Sequence, residues 1–189
     1  MSLYIAFLRG INVGGRNMIK MADLRKLFDE LGFSGVETYI QSGNILFYSD
    51  STESVIREKA ELEIRRVFGF PVPVVLRTLD ELTAVIRNCP FSGEAIAEAE
   101  SVNDSESMYI VLLSQIPSGD QLARLNAYLS GGEEFHLVGR DGYLLIRHSI
   151  RVSKLAGHFQ ILDKSATVRN WKTINKLVEL ARVKGNDKV

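Results

Sequence analysis

The order in which strand-like and helical runs follow one another constrains this chain most. Leu3-Tyr4-Ile5-Ala6-Phe7-Leu8 is an unbroken apolar run of strand length. Met21, Leu24, Leu27, Phe28 and Leu31 then recur at helical spacing, and Gly32 stands where a left-handed cap stops a helix. Val36 to Ile40 and Ile45 to Phe47 flank Gln41-Ser42-Gly43-Asn44, the composition of a hairpin turn. Ile56, Ala60, Ile64, Val67 and Phe68 mark a second helix starting near Ser51-Thr52, and Pro71-Val72-Pro73-Val74-Val75-Leu76 follows as a strand opened by prolines. The order β-α-β-β-α-β predicts the ferredoxin-like arrangement, an antiparallel sheet with strand order 4-1-3-2.

The second half echoes the first. Tyr109-Ile110-Val111-Leu112-Leu113 repeats the opening run, and Val138 to Ile146 repeats the hairpin around Gly139-Arg140-Asp141-Gly142. Leu122, Leu125 and Leu129 suit a helix between them, and Trp171, Ile174, Leu177, Val178 and Ala181 share one face of a final helix. No strand is evident before the polar end of the chain. The expected fold class is therefore α+β, with two ferredoxin-like (βαββαβ) subdomains, the second truncated and lacking a clear final strand. Residues 1–90 form the first unit with a connecting helix, whose capping box is Thr78 with Glu81. Residues 91–106 read as an acidic linker holding at most one loose helical turn, and 107–189 as the second unit. Two ordinary α+β halves that resemble each other by chance are the competing explanation of the repeat.

Net charge is zero, yet residues 1–106 carry 11 Lys+Arg against 16 Asp+Glu, and residues 107–189 carry 12 against 7. A basic functional face and two halves that complement each other explain this equally well. Cys89 is the single cysteine, so no internal disulfide forms, in keeping with a reducing compartment. The chain lacks a secretory pattern at Met1-Ser2-Leu3-Tyr4 and an apolar run of membrane-spanning length, so a cytoplasmic protein without membrane association is expected.

In the expected sheet, strands one and two leave on the same edge. The loop Arg9-Gly10-Ile11-Asn12-Val13-Gly14-Gly15-Arg16-Asn17 then lies beside Gln41-Ser42-Gly43-Asn44. Strand-then-glycine loops are where backbones approach ligands. Arg9, Gly10, Asn12, Gly14, Gly15, Arg16, Gln41, Ser42 and Asn44 are the candidate ligand-binding residues of this edge. A third stretch, Thr167-Val168-Arg169-Asn170-Trp171-Lys172-Thr173, reads as a Thr167-capped helix whose first turns hold cations against the macrodipole. It contributes Arg169, Asn170 and Lys172, and Lys154 joins them. An anionic ligand and an internal salt bridge are level explanations of those cations.

The glycine spacing is that of a P-loop, but Arg16 stands where the lysine belongs and Asn17 where a magnesium-binding hydroxyl belongs. His136, His148 and His158 are scattered without metal-ligand spacing, so no metal site is expected. Ser42 is not in a nucleophile elbow and Cys89 has no neighbour that would activate it. No catalytic residue and no cofactor are assigned.

The strings Tyr4 to Gly15, Met21-Ala22-Asp23-Leu24, Thr38 to Asn44, Ser153-Lys154-Leu155 and Thr167 to Thr173 resemble a bacterial domain-of-unknown-function family, family 1697. The resemblance spans nearly the whole chain and implies a cytosolic bacterial protein of α+β fold, with no activity to transfer. Arg16 departs from the lysine usual after the paired glycines, and Ile174 from the usual valine. The first keeps the charge but alters its hydrogen-bonding geometry.

The leading expectation is a protein that binds, or acts on, an anionic small molecule, a phosphate-bearing one being one candidate, at the glycine-loop edge. The alternative is a nucleic-acid-binding protein using residues 140–188, which carry 11 Lys+Arg against 4 Asp+Glu, with Tyr143 and Trp171 as stacking groups. Oligomeric state is not legible.

Overall fold

A computed structural model describes residues 1–186. The chain is mixed α/β with two four-stranded antiparallel sheets. It divides into two units, Met1–Thr83 together with the chain from Lys176, and Ala84–Asn175.

The first unit runs β1 (Ser2–Leu8), α1 (Met21–Glu30), β2 (Ser34–Tyr39), β3 (Asn44–Ser49), α2 (Glu53–Phe68) and β4 (Val74–Thr78), leading into α3 (Leu79–Arg87). Its strand order is β2-β3-β1-β4, the order expected from the sequence. Period-two alternation places Tyr4, Ala6 and Leu8 on one face of β1, where they join Ile45 and Phe47 against Leu24, Phe28, Ile56, Ala60 and Ile64 of the two helices. Phe33 and Phe28 close around Phe47 with ring centroids 4.6 and 5.4 Å away. Ile5, Phe7, Leu46 and Val75, on the alternate positions, are buried as well. Burial on both faces is why β1 reads as a continuous apolar run instead of an alternating one. Gly32, at φ +85°, turns the chain after α1, and Thr78 and Glu81 cap α3 reciprocally. Lys184 docks here too: Tyr48 Oη donates to its carbonyl at 2.7 Å, and its ammonium pairs with Glu37.

The second unit contains α4 (Gly93–Ser101), β5 (Met108–Leu112), α5 (Gly119–Asn126), β6 (Glu133–Val138), β7 (Asp141–Ile146), two 3₁₀ segments (Ile150–Val152 and Ala156–Ile161) and β8 (Thr167–Asn170). The last helix, α6, spans Trp171–Asn186. Its strand order is β6-β7-β5-β8, the same permutation as in the first unit.

Three expectations are corrected. The second unit is not truncated: β8 pairs with β5 from Leu112↔Thr167 to Tyr109↔Asn170. Four residues ending in Arg-Asn are too short and polar to register as a strand, and the element before them is 3₁₀ and lacks a long apolar period. Nine residues of the supposed acidic linker form α4, whose Ser92 hydroxyl accepts the Ala95 N–H at 3.2 Å. Finally, Thr167 caps no helix: it lies in β8, and the Asn170 side chain accepts the Thr173 N–H at 2.8 Å.

The repeat is explicit at the level of register. Leu8 N–H donates to the Gly43 carbonyl at 2.8 Å, and Leu113 N–H donates to the Arg140 carbonyl at 3.0 Å. Arg77 of β4 stands opposite Ile5, and Arg169 of β8 stands opposite Ile110.

Candidate ligand-binding site

The glycine loop leaves β1 at Arg9, whose N–H donates to the Pro73 carbonyl at 3.0 Å. Gly14 and Gly15, at φ +58° and +73°, form a tight turn closed by the Arg16 N–H on the Val13 carbonyl at 3.1 Å. Two successive positive φ angles are those of a type I′ turn, which suits a narrow hairpin. The loop therefore folds on itself and does not wrap outward as a phosphate cradle would. Arg16 sits at its exposed tip, with no ion pair among the described residues.

Asn12 locks the base of this hairpin. Its side-chain carbonyl accepts the Ile19 N–H at 2.8 Å, and its amide donates to the carbonyls of Ile19 and Gln41, each at 2.9 Å. Asn17 adds a bond to the Gly10 carbonyl at 3.0 Å. The second loop is fixed from its own side: the buried Asn44 amide donates to Tyr39 O at 3.1 Å and to Ser42 Oγ at 3.0 Å. Gly43 is wedged so tightly that a Cβ would stand 2.6 Å from Ile11 Cδ1 and 2.8 Å from Leu8 Cβ. The two loops that the sequence nominated separately are thus joined, through Asn12 to Gln41 and Leu8 to Gly43.

Beside this junction opens a cleft of about 500 Å³ lined by Asn12, Met18, Ile19, Lys20, Met21, Asp23, Gln41 and Phe68. That lies within the range of small-molecule sites, about 300–1,000 Å³. Lys20 is the N-cap residue of α1 and supplies no side-chain cap, so the first-turn N–H groups are open to solvent or a ligand. Positive helix-end potential, the Lys20 ammonium and the amides of Asn12 and Gln41 meet apolar surface from Met18, Met21 and Phe68. Met18 is 63% exposed, unusual for a large apolar side chain on a loop this tightly bonded.

Backbone strain clusters at the same place. Among the described residues, the non-glycine residues at positive φ are Asn12 (55°), Asn17 (49°) and Ile40 (49°), all in the two loops that meet. For Ile40, a β-branched residue, that region is a true outlier.

Of the sequence-nominated residues, Asn12 and Gln41 line the cleft, whereas Arg9, Gly10, Gly14, Gly15, Arg16, Ser42 and Asn44 shape or flank it without lining it. Met18, Lys20, Met21, Asp23 and Phe68 were missed. Met21 and Phe68 carried a core periodicity that hid their place in the cleft wall, and nothing local marked Met18 or Lys20.

The remaining four nominees belong to the second unit. Arg169 lies in a strand, not a helix, and only 9% of it is exposed. Burial pulls its guanidinium down to about 10, and Nη1 donates to Thr167 Oγ1 at 2.9 Å and the Val168 carbonyl at 2.8 Å. Asn170 is occupied as the α6 cap. Lys172 pairs with Glu106 at 3.2 Å, which raises its ammonium pKa through the side-chain hydrogen bond. Lys154 is exposed, and its carbonyl accepts a bond from His158 Nδ1 at 2.7 Å. Tyr143, proposed as a stacking group, is buried with its hydroxyl on the Val85 carbonyl at 2.9 Å, so its face is not offered to a base. Burial pushes the Cys89 thiol upward, the opposite of an activated nucleophile.

Similarity to known proteins follows the same outline. A solved structure of the conserved bacterial protein SP0830 from Streptococcus pneumoniae is 29% identical, covers 95% of this chain and 98% of its own, and superposes with a TM-score of 0.72. A comparison with functionally curated proteins finds no match. The family model described as protein of unknown function (DUF1697) matches residues 1–143, and the chain belongs to that family.

Proposed function

We propose that the first unit, read as a ferredoxin-like sheet with its glycine-loop edge, binds a small anionic molecule with an apolar body in the cytoplasm. The phosphate or carboxylate sits at the N-terminus of α1 beside Lys20, with the side-chain amide of Gln41 orienting it and Asn12 holding the loop in place. The apolar portion lies against Met18, Met21 and Phe68. The carrying observation is that an uncapped helix start opens into a 500 Å³ cleft whose rim is held by strained, cross-bonded loops. Helix N-termini favour anions through free N–H groups and the macrodipole, and low-cost flexibility is absent where Asn12 fixes both sides of the loop. Asp23 restricts the anion to the side of the cleft nearer Lys20. The reading uses the first unit alone; Arg9 and Arg16 flank it as sources of long-range positive potential.

A thermal-shift screen with aryl and alkyl phosphates and carboxylates tests this. Members of the panel raise the melting temperature of the wild type, and Lys20→Ala removes most of that rise while leaving the ligand-free protein unchanged. No stabilisation by any member, or equal stabilisation of the Lys20→Ala protein, contradicts the proposal.

A further inference from the structure

The geometry points to a second binding surface, on the second unit and independent of the cleft. We propose that the face formed by the end of α5 and the 3₁₀ segments binds single-stranded nucleic acid, an unpaired base stacking against the Tyr128–His158 pair while Arg124, Arg151 and Lys154 hold phosphates.

Tyr128 and His158 lie ring on ring, with centroids 3.8 Å apart and planes 12° from parallel. The bond between His158 Nδ1 and the Lys154 carbonyl fixes the imidazole, and the Tyr128 N–H on the Leu125 carbonyl at 2.9 Å fixes the backbone that carries the other ring. This pair is outside the apolar core of the unit, and Tyr128 keeps 37% of its surface in solvent. A pre-ordered, partly exposed stack is a platform that a further aromatic ring extends at little entropic cost.

Cations lie close to it along the chain, at Arg124, Arg151 and Lys154. Arg124 precedes Tyr128 by four residues at the end of α5, and Lys154 precedes His158 by four, its carbonyl bonded to that ring. Arg151 follows on the same basic stretch. All three are exposed and form no ion pair among the described residues. The neighbouring acids are committed elsewhere: Glu134 to Arg147, Glu133 to His148, and Asp163 to the Ser114 backbone and hydroxyl. Asp120, at the start of α5, is the one exposed carboxylate on these elements. Three uncompensated charges on separate turns match successive phosphates of a strand better than the single phosphate cluster of a mononucleotide. A duplex hides the base faces that the aromatic pair would stack on, which selects for a single strand.

Fluorescence anisotropy with a fluorescein-labelled, mixed-sequence single-stranded oligonucleotide at low salt tests the surface. Saturable binding is expected. Tyr128→Ala weakens it about tenfold and Tyr128→Phe does not, because the ring and not the hydroxyl stacks. The combined Arg124→Ala, Arg151→Ala, Lys154→Ala protein lowers the slope of log affinity against log salt by about 2. Lys20→Ala leaves binding unchanged, which separates this surface from the cleft. Absence of saturable binding overturns the proposal, as does equal binding by Tyr128→Ala. Equally tight binding of duplex, or of phosphatidylserine vesicles, overturns it too by reducing the surface to a general attraction for anions.

Discussion

Gly43 and Gly15 share a left-handed backbone, at φ +76° and +73°, but not their surroundings. A Cβ at Gly15 meets nothing within 4 Å, whereas one at Gly43 collides with Ile11 and Leu8. Gly15→Ala therefore costs about 1 kcal/mol, the price of the backbone alone, and Gly43→Ala about 2–4 kcal/mol because overpacking adds to it. Urea denaturation of both variants checks the difference; equal costs contradict the packing of the two loops. Ile40 carries the opposite lesson. Replacing it with Asn, which tolerates its φ of 49°, stabilises the protein by about 1 kcal/mol. An unchanged or lowered midpoint for Ile40→Asn speaks against stored strain. Asn12→Ala removes three side-chain bonds at the loop base and costs about 2–3 kcal/mol, and in the ligand screen it loses stabilisation along with Lys20→Ala. At this scale the sequence was informative wherever a residue type has one structural use. Glycine pairs and asparagines in a loop announce positive φ and local bonding. Lys20 was opaque because what distinguishes it in the structure is a missing contact, the side-chain cap that α1 lacks.

Strands with apolar runs and helices with clean periods were legible, and so were the capping box of α3 and the turn after α1. β8 and α4 were not, since their identity depends on partners: β8 exists because β5 offers an edge at Leu112 to Tyr109, and α4 because Ser92 caps a run of Ala and Glu with weak periodicity. The loop after β5 depends on a carboxylate. Burial works to raise the Asp163 pKa, but bonds from the Ser114 hydroxyl, the Ser165 N–H and the Ser114 and Gln115 backbone hold it below the ordinary value. A carboxyl whose folded pKa is depressed contributes stability above its unfolded value, about 3.9, and loses it as pH falls through the folded value. Stability should therefore decline on acidification below about pH 4. Asp163→Asn should lose about 2–3 kcal/mol at neutral pH and show a shallower acid decline. Denaturation midpoints between pH 3 and 7 measure both; an unchanged acid limb in Asp163→Asn removes Asp163 from the account.

Across the whole molecule, the same strand permutation occurs twice, with matching register at Leu8 and Leu113 and at Arg77 and Arg169. The weak sequence echo between Tyr4-Ile5-Ala6-Phe7-Leu8 and Tyr109-Ile110-Val111-Leu112-Leu113 was enough to suggest this. It could not place the end of α6, because the tie from Tyr48 to Lys184 spans most of the chain and leaves no local pattern. The units differ where loops meet solvent: the first has a strained hairpin and an amide-lined cleft, the second a partly exposed aromatic pair. The assignment of a ligand to the first unit is tested most directly by following backbone amide resonances while an anionic ligand from the thermal screen is added. The account predicts saturable shifts concentrated at Met21, Ala22 and Asp23, at the start of α1, and at Asn12 and Gln41. Shifts confined to other surfaces, or none at a ligand concentration that stabilises the protein, would contradict it.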